Sequence, residues 1–320
     1  MSYDRDHLLK KYVRRDQPFG PADAADVEEP SCAAALYDWN NKAFAEMLTG
    51  SDVLVGRRGS GKSSLLRSFP ARKFLLDEFQ TEEGRDFRDR HHISSKTLSK
   101  TPDFIVDVDT PAQVTELEGY CVKQPVIPPV EMLSELWRRR LWWLIGRRVD
   151  NVDGGLWAKL PEPVKRYIKN QDVEATVAGN QGNPNELSPQ DYIQTMERFL
   201  LENELRVVAT FDNIERHKFE PAQNAVLGGL IAATGKFIGA KHPSLDVKLC
   251  LPAELFRHLE KLVFRSDKDL HKVQYLHWNA AELMHLAARR LRLYLYLWDH
   301  EEYELIREKK IVDRETLRRF

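Results

Sequence analysis

The segment 52–66 constrains the fold of this chain more than any other. Its first part, Val53–Val55, is apolar, and the residues 56–63 that follow read GRRGSGKS. This order predicts a short buried strand, a glycine-rich turn and the start of a helix. The turn fits the pattern of a glycine, four residues of any type, a second glycine, a lysine and a hydroxyl residue at every fixed position. The sequence therefore predicts a phosphate-binding loop at the end of a strand.

The glycines and the lysine explain why such a loop would bind phosphate. Glycine allows backbone angles that other residues resist, so consecutive N–H groups can turn toward one anion. The N-terminus of the following helix adds a partial positive charge. We expect Lys62 to reach the β- and γ-phosphates of a bound nucleotide and the Ser63 hydroxyl to bind Mg²⁺. The predicted phosphate-binding residues are Gly56, Arg57, Arg58, Gly59, Ser60, Gly61, Lys62, Ser63 and Ser64.

A second apolar run, 205–212, predicts the other half of a nucleotide site. It reads as a strand that ends in a carboxylate, and we expect this Asp212 to hold Mg²⁺ beside Ser63. Many P-loop ATPases carry a second acid directly after the aspartate that holds the metal. In this chain that position is Asn213. Asparagine can orient a water molecule but cannot take its proton. Glu215 is then the nearest candidate base and joins Lys62 and Asp212 as a predicted catalytic residue, although a surface glutamate at a helix start fits that position equally well.

A further strand is predicted in the chain between the strand at 53–55 and the strand at 205–212. This third strand decides which fold we expect. Residues 103–109 alternate apolar and acidic side chains, as a half-buried strand does. This predicts the branch of P-loop folds that has an extra strand between the Walker A and Walker B strands. We expect a three-layer α/β P-loop NTPase fold with a mainly parallel sheet. The expected division is an N-terminal arm at 1–30, an NTPase domain at 31–300 with a helical insertion at about 113–204, and a C-terminal tail at 301–320.

The composition indicates where in the cell the protein works, but it does not indicate what the protein binds. Lys and Arg number 48 against 49 Asp and Glu, so the net charge of −1 argues neither for nor against a polyanionic partner. Cys32, Cys121 and Cys250 are far apart and lack metal-ligand spacing, which favours reduced thiols. The N-terminus has no apolar signal-peptide core, and the low-charge run 221–240 is too weak for a membrane span. We expect a cytoplasmic protein with no membrane partner.

A predicted helix at 130–148 leaves two interpretations open. It combines five arginines with three tryptophans at positions 137, 142 and 143. Arginine and tryptophan together can neutralise phosphates and stack on bases, which would make DNA a partner. The favoured interpretation is a solvated basic face with the tryptophans in the core.

The motifs, taken in order, resemble a known family. The loop at 56–64, FDNIE at 211–215, LPAELF at 251–256 and LHWNAAEL at 276–283 look like bacterial P-loop ATPases related to the STAND and KAP groups, over about residues 18–298. The resemblance implies ATP with Mg²⁺, a switch or ATPase cycle, assembly into a homo-oligomer, and a role in DNA repair or defence against phage. Asn213 and Pro252 depart from the family pattern, and the tail after residue 298 is short relative to such proteins.

Three functions are consistent with these observations. The first is a Mg²⁺-dependent ATPase or ATP-driven switch. The second is a nucleotide-gated interaction module with little or no hydrolysis, motivated by Asn213, which would bind a protein or DNA partner. The third is a small-molecule kinase, which is least favoured because no acceptor pocket is recognisable in the sequence.

Overall fold

The computed structural model describes residues 2–21, 26–27, 32, 36, 42–49, 52–68, 82–93, 102–152, 154–170, 187–214, 220–240, 242–260, 273–299 and 303. Among these residues are five strands and twelve helices. The strands are β1 (Val53–Gly56), β2 (Phe104–Val108), β3 (Val207–Phe211), β4 (Leu245–Pro252) and β5 (Val273–Leu276). The helices are α1 (Ser2–Tyr12), α2 (Lys42–Thr49), α3 (Lys62–Ser68), α4 (Glu82–Arg90), α5 (Thr110–Lys123), α6 (Val130–Val152), α7 (Gly154–Lys159), α8 (Glu162–Asn170), α9 (Pro189–Glu202), α10 (Pro221–Ala240), α11 (Ala253–Glu260) and α12 (Ala280–Trp298).

Tertiary contacts divide the chain into two compact units. The sheet unit comprises Glu46–Lys62 and Ile93–Leu276, and the helical unit comprises Met1–Ala45, Ser63–His92 and His277–Phe320. The proposed division into arm, domain and tail stays a prediction. The predicted helical insertion of about 113–204 corresponds to the helices α5 to α9, which lie between β2 and β3 in the chain.

The sheet unit contains one five-stranded sheet in the order β2-β3-β4-β1-β5, and every neighbouring pair is parallel. The expectation of an α/β fold with a mainly parallel sheet is therefore confirmed. The strand between β1 and β3 in space is β4, which follows both of them in the chain. The expected extra strand between β1 and β3 is thus present, but it is not β2, the strand whose position in the chain led to the prediction. β2 lies at the edge of the sheet. Parallel strands are joined by crossovers, so their order in the chain does not fix their order in the sheet.

A continuous apolar core lies between this sheet and its helices. Trp137 of α6 is 1% exposed, packs edge-on against Phe211 of β3 with ring centroids 5.9 Å apart, and donates from its indole nitrogen to the Val226 carbonyl at 2.8 Å. The helices α6 and α10 pack closely at Gly229, where an added Cβ would lie 2.7 Å from Leu133 Cβ. Helix α10 is thus a core helix. No helix among the described residues is long and apolar enough to cross a membrane.

The helical unit has a smaller core of its own. Side chains of the N-terminal region pack with α12, namely Leu9, Val13, Val27, Cys32, Leu36 and Leu297. Arg290 of α12 donates to the main-chain carbonyls of Leu36 at 3.2 Å and Phe19 at 2.9 Å. A capping box at Asn279 and Glu282 begins α12.

Candidate functional site

The predicted loop and the predicted carboxylate lie at the same edge of the sheet. Because all five strands are parallel, their carboxyl ends lie at the same edge, where open α/β sheets bind ligands. Gly56 at the end of β1 pairs with Pro252 of β4, and Phe211 at the end of β3 pairs with Leu249 of β4. Asp212 comes one residue after β3. The glycine-rich loop after β1 and Asp212 after β3 are therefore separated by the single strand β4.

The backbone of the loop uses its glycines. Gly59 and Gly61 have φ angles of 75° and 87°, in the left-handed region that glycine adopts at low cost. The N–H of Ser60 donates to the Arg57 carbonyl at 3.1 Å and closes the turn. At Gly56 an added Cβ would lie 2.5 Å from the Ser60 hydroxyl oxygen, so the loop folds closely over this residue. A Cβ at Gly59 would meet no atom within 4 Å, so there the positive φ is what requires glycine.

Lys62 is directed into this turn. The side chain is 4% exposed, and its ammonium group donates to the Arg57 carbonyl at 2.9 Å. Arg57, Arg58 and Gly59 are exposed at the tip of the loop. The remaining predicted phosphate-binding residues, Ser63 and Ser64, are half-buried in the first turn of α3. A buried ammonium inside a turn with left-handed glycines is suited to a phosphate, and the donor set thus fits the predicted ligand.

Asp212 is half-buried, and its main chain is anchored to the first turn of α5. Its N–H donates at 3.1 Å to the hydroxyl oxygen of Thr110, the first residue of α5. The neighbouring Cys250 on β4 is buried, and its thiol lies 3.9 Å from the Lys62 carbonyl. Burial raises the pKa of Cys250 well above its ordinary value; the charge of Asp212 raises this pKa further, and Lys62 opposes the shift. Lys62 and Asp212 therefore both lie close enough to this buried thiol to affect its pKa, in opposite directions.

The residues after Asp212 are only partly described. Asn213 is exposed and has a left-handed φ of 61°. Asparagine is among the few non-glycine residues that tolerate this conformation. The left-handed turn of the chain therefore explains why an asparagine is suited to position 213. Glu215, the predicted base, lies outside the described residues.

Two residues of this region were not found from the sequence. Thr110 and Cys250 contact the site only because β2 and β4 flank β3 in the sheet. A threonine after a strand and a buried cysteine within one are common, so neither carries a signal without the strand order. Within the described residues, no group of three or more His, Cys, Asp or Glu side chains could hold a metal ion.

The basic helix α6 does not present the aromatic face that base stacking requires. Trp137, Trp142 and Trp143 are between 1% and 8% exposed, so the favoured interpretation of these tryptophans as core residues is confirmed. The neighbouring arginines make local ion pairs. Arg138 and Arg139 both pair with Glu135, and the guanidinium of Arg140 is buried against Gln113, Glu116 and the ring of Trp143.

Comparison with known proteins adds no family to this description. A scan against protein-family models, a search of curated proteins and a search of solved structures each found no match to this chain.

Proposed function

We propose that this chain binds ATP with Mg²⁺ through residues 56–64 and Asp212 and works as an ATPase or an ATP-driven switch. The observation that supports this most is the loop after β1, in which Gly59 and Gly61 are left-handed and the buried ammonium of Lys62 donates to the Arg57 carbonyl. Asp212 directly follows β3, which is separated from β1 in the sheet by β4 alone.

Each residue has a distinct role in this proposal. The loop N–H groups and Lys62 hold the β- and γ-phosphates, while Ser63 and Asp212 hold Mg²⁺. When bound, Mg²⁺ neutralises the charge that develops on the phosphates during transfer. The exposed Arg57 and Arg58 are placed to meet solvent-facing phosphate oxygens. Glu215 or a residue from a partner subunit serves as the base for the attacking water.

A nucleotide-gated interaction module is the second candidate. It is favoured by Asn213, whose side chain cannot accept a proton and whose left-handed backbone suits a turn. In this case ATP binding changes the affinity for a protein or DNA partner and turnover is negligible. The resemblance to STAND- and KAP-related ATPases extends the proposal to a cytoplasmic homo-oligomer in DNA repair or phage defence. Any DNA contact of α6 would depend on its exposed arginines Arg147 and Arg148, because its tryptophans are buried.

Phosphate release by the purified chain distinguishes the two candidates. The assay compares wild type with Asp212→Ala and with Lys236→Ala, an exposed lysine on α10 that serves as the control. It is run with and without DNA, and oligomer size is measured in the same samples. An ATPase releases phosphate in a Mg²⁺-dependent reaction that Asp212→Ala abolishes and Lys236→Ala leaves intact. ATP binding without release supports the gated module, and phosphate transfer to a metabolite would replace both with a kinase.

A further inference from the structure

The buried hydroxyl of Thr110 connects the ends of two strands. Thr110 is 0% exposed and begins α5 directly after β2. Its hydroxyl donates to the Val108 carbonyl at 3.1 Å and accepts the N–H of Asp212, also at 3.1 Å. A hydroxyl has one proton to donate, and here that proton goes to the end of β2. The oxygen is thereby oriented to accept from the end of β3.

This bond begins where the backbone pairing stops. The last pair in the parallel register of β2 and β3 is Val108 with Phe211. Beyond it the chain turns into α5, with Pro111 in the first turn, so the backbone of β2 leaves the sheet. Asp212 is the next residue on the β3 side. The Thr110 hydroxyl therefore extends the hydrogen bonding by one residue past the end of the strand pair.

We propose that Thr110 is a positioning residue for Asp212, an inference that rests on the proposed function. Its hydrogen bond fixes the main chain of Asp212 immediately before the left-handed turn at Asn213. The hydrogen bond thereby fixes the position of the Asp212 main chain, from which the carboxylate extends. Partners that orient a ligand residue in this way commonly change metal affinity when they are removed. Thr110 would accordingly set the Mg²⁺ affinity of the site without touching the nucleotide.

The chain offers a matched control on the same two strands. The hydroxyl of Thr210 on β3 donates to the Asp107 carboxylate of β2 at 3.0 Å, and Thr210 is 4% exposed. Thr210→Val therefore removes a buried threonine hydroxyl that joins β2 to β3, as Thr110→Val does. It leaves the N–H of Asp212 bonded. Thr110→Ser keeps the hydroxyl and loses only a methyl group.

The experiment measures binding of a fluorescent ATP analogue in EDTA and at rising concentrations of MgCl₂. We expect Thr110→Val to raise the Mg²⁺ concentration for half-maximal enhancement of binding by about 10-fold, as loss of such an orienting partner typically does. Binding in EDTA should equal that of wild type, because Lys62 and the loop are unchanged. Thr110→Ser and Thr210→Val should both keep the wild-type Mg²⁺ requirement. If Thr110→Val does not fold, Thr110→Ala replaces it with the same expectation.

The results separate this inference from the function on which it depends. An unchanged Mg²⁺ requirement in Thr110→Val, with wild type responding to Mg²⁺, overturns the role of Thr110 and leaves the proposed function standing. Equal shifts in Thr110→Val and Thr210→Val also overturn it, because they indicate a general weakening of the strand pair. Failure of the wild-type chain to bind the analogue at all overturns the proposed function and this inference with it.

Discussion

Two lysines of the sheet unit are almost fully buried, and their surroundings differ. Lys248 on β4 is 2% exposed and forms ion pairs with Asp52 at 2.9 Å and Asp246 at 3.1 Å. Lys62 is 4% exposed and donates to the main-chain carbonyl of Arg57. A buried ammonium matched by carboxylates holds strands in register, since Asp52 directly precedes β1. Lys62 instead lies at the turn of the glycine-rich loop, where we propose that a phosphate binds.

Substitution of Lys248 should therefore affect stability. Lys248→Met leaves the carboxylate of Asp52, which is 15% exposed, without its ammonium partner. Removing one partner of a buried ion pair destabilises the folded state by about 3 kcal/mol at the lower end of the usual range. We expect the lower end here because Asp246 is 43% exposed and retains its hydration. Urea unfolding followed by tryptophan fluorescence measures the change. The control is Glu162→Gln, which removes an exposed ion pair with Lys165. If Lys248→Met unfolded at as high a urea concentration as the control, the Lys248 ion pairs would not stabilise the protein.

Cys250 should make the protein sensitive to alkaline pH. Its folded pKa is raised above the unfolded value of about 9.0 by burial first and by Asp212 second. The folded state then holds a proton that the unfolded state releases, so stability is fully present below pH 9 and falls as pH rises above it. Cys250→Ala lacks this titration. The difference in unfolding free energy between wild type and Cys250→Ala should shrink or reverse from pH 8 to pH 10, and a difference that is constant across this range would contradict the assignment.

At the scale of elements, the contact between α6 and α10 depends on one glycine. A Cβ at Gly229 would lie 2.7 Å from Leu133 Cβ and 3.0 to 3.1 Å from main-chain atoms of Leu133 and Ser134. Backbone atoms cannot move aside as a flexible side chain can, so the helices must separate. Because α6 also carries Trp137, which packs against β3, a displacement there would disturb the sheet as well.

The same helix provides the control for this prediction. Gly239 lies on α10 with no atom within 4 Å of an added Cβ. Gly239→Ala should stabilise the protein by up to about 1 kcal/mol through helix propensity. Gly229→Ala should instead destabilise it by about 1 to 3 kcal/mol through overpacking. Chemical denaturation measures both, and a stabilising Gly229→Ala would show that the helices are not in close contact at this point.

The elements also explain which parts of the structure were predictable from sequence. The strands β1, β2 and β3 follow from short apolar or alternating runs, because burial of a strand imposes that pattern locally. The capping box of α12 is equally local. The position of β4 between β1 and β3 depends on crossovers and on packing against α6 and α10, which no local pattern encodes. Thr110 and Cys250 could not be found for this reason, since their role depends on which strands are neighbours.

At the scale of the whole molecule, the prediction of an α/β fold succeeded because its signals were independent. A glycine-rich loop after an apolar strand and a second strand ending in Asp212 both require parallel strands with a common carboxyl edge. The division of the chain into a sheet unit and a helical unit was not anticipated. Residues far apart in sequence, such as those of α1 and α12, form the core of the helical unit, and amphipathic helices do not specify their partners.

We propose that Lys62 and Asp212 belong to one site for ATP and Mg²⁺. Isothermal titration of ATP into wild type, Lys62→Ala, Asp212→Asn and the control Lys236→Ala, each with Mg²⁺ and with EDTA, tests it most directly. We predict that Lys62→Ala abolishes measurable binding in both conditions, that Asp212→Asn removes only the enhancement by Mg²⁺, and that Lys236→Ala matches wild type. Binding of ATP by Lys62→Ala with the wild-type affinity would contradict the account.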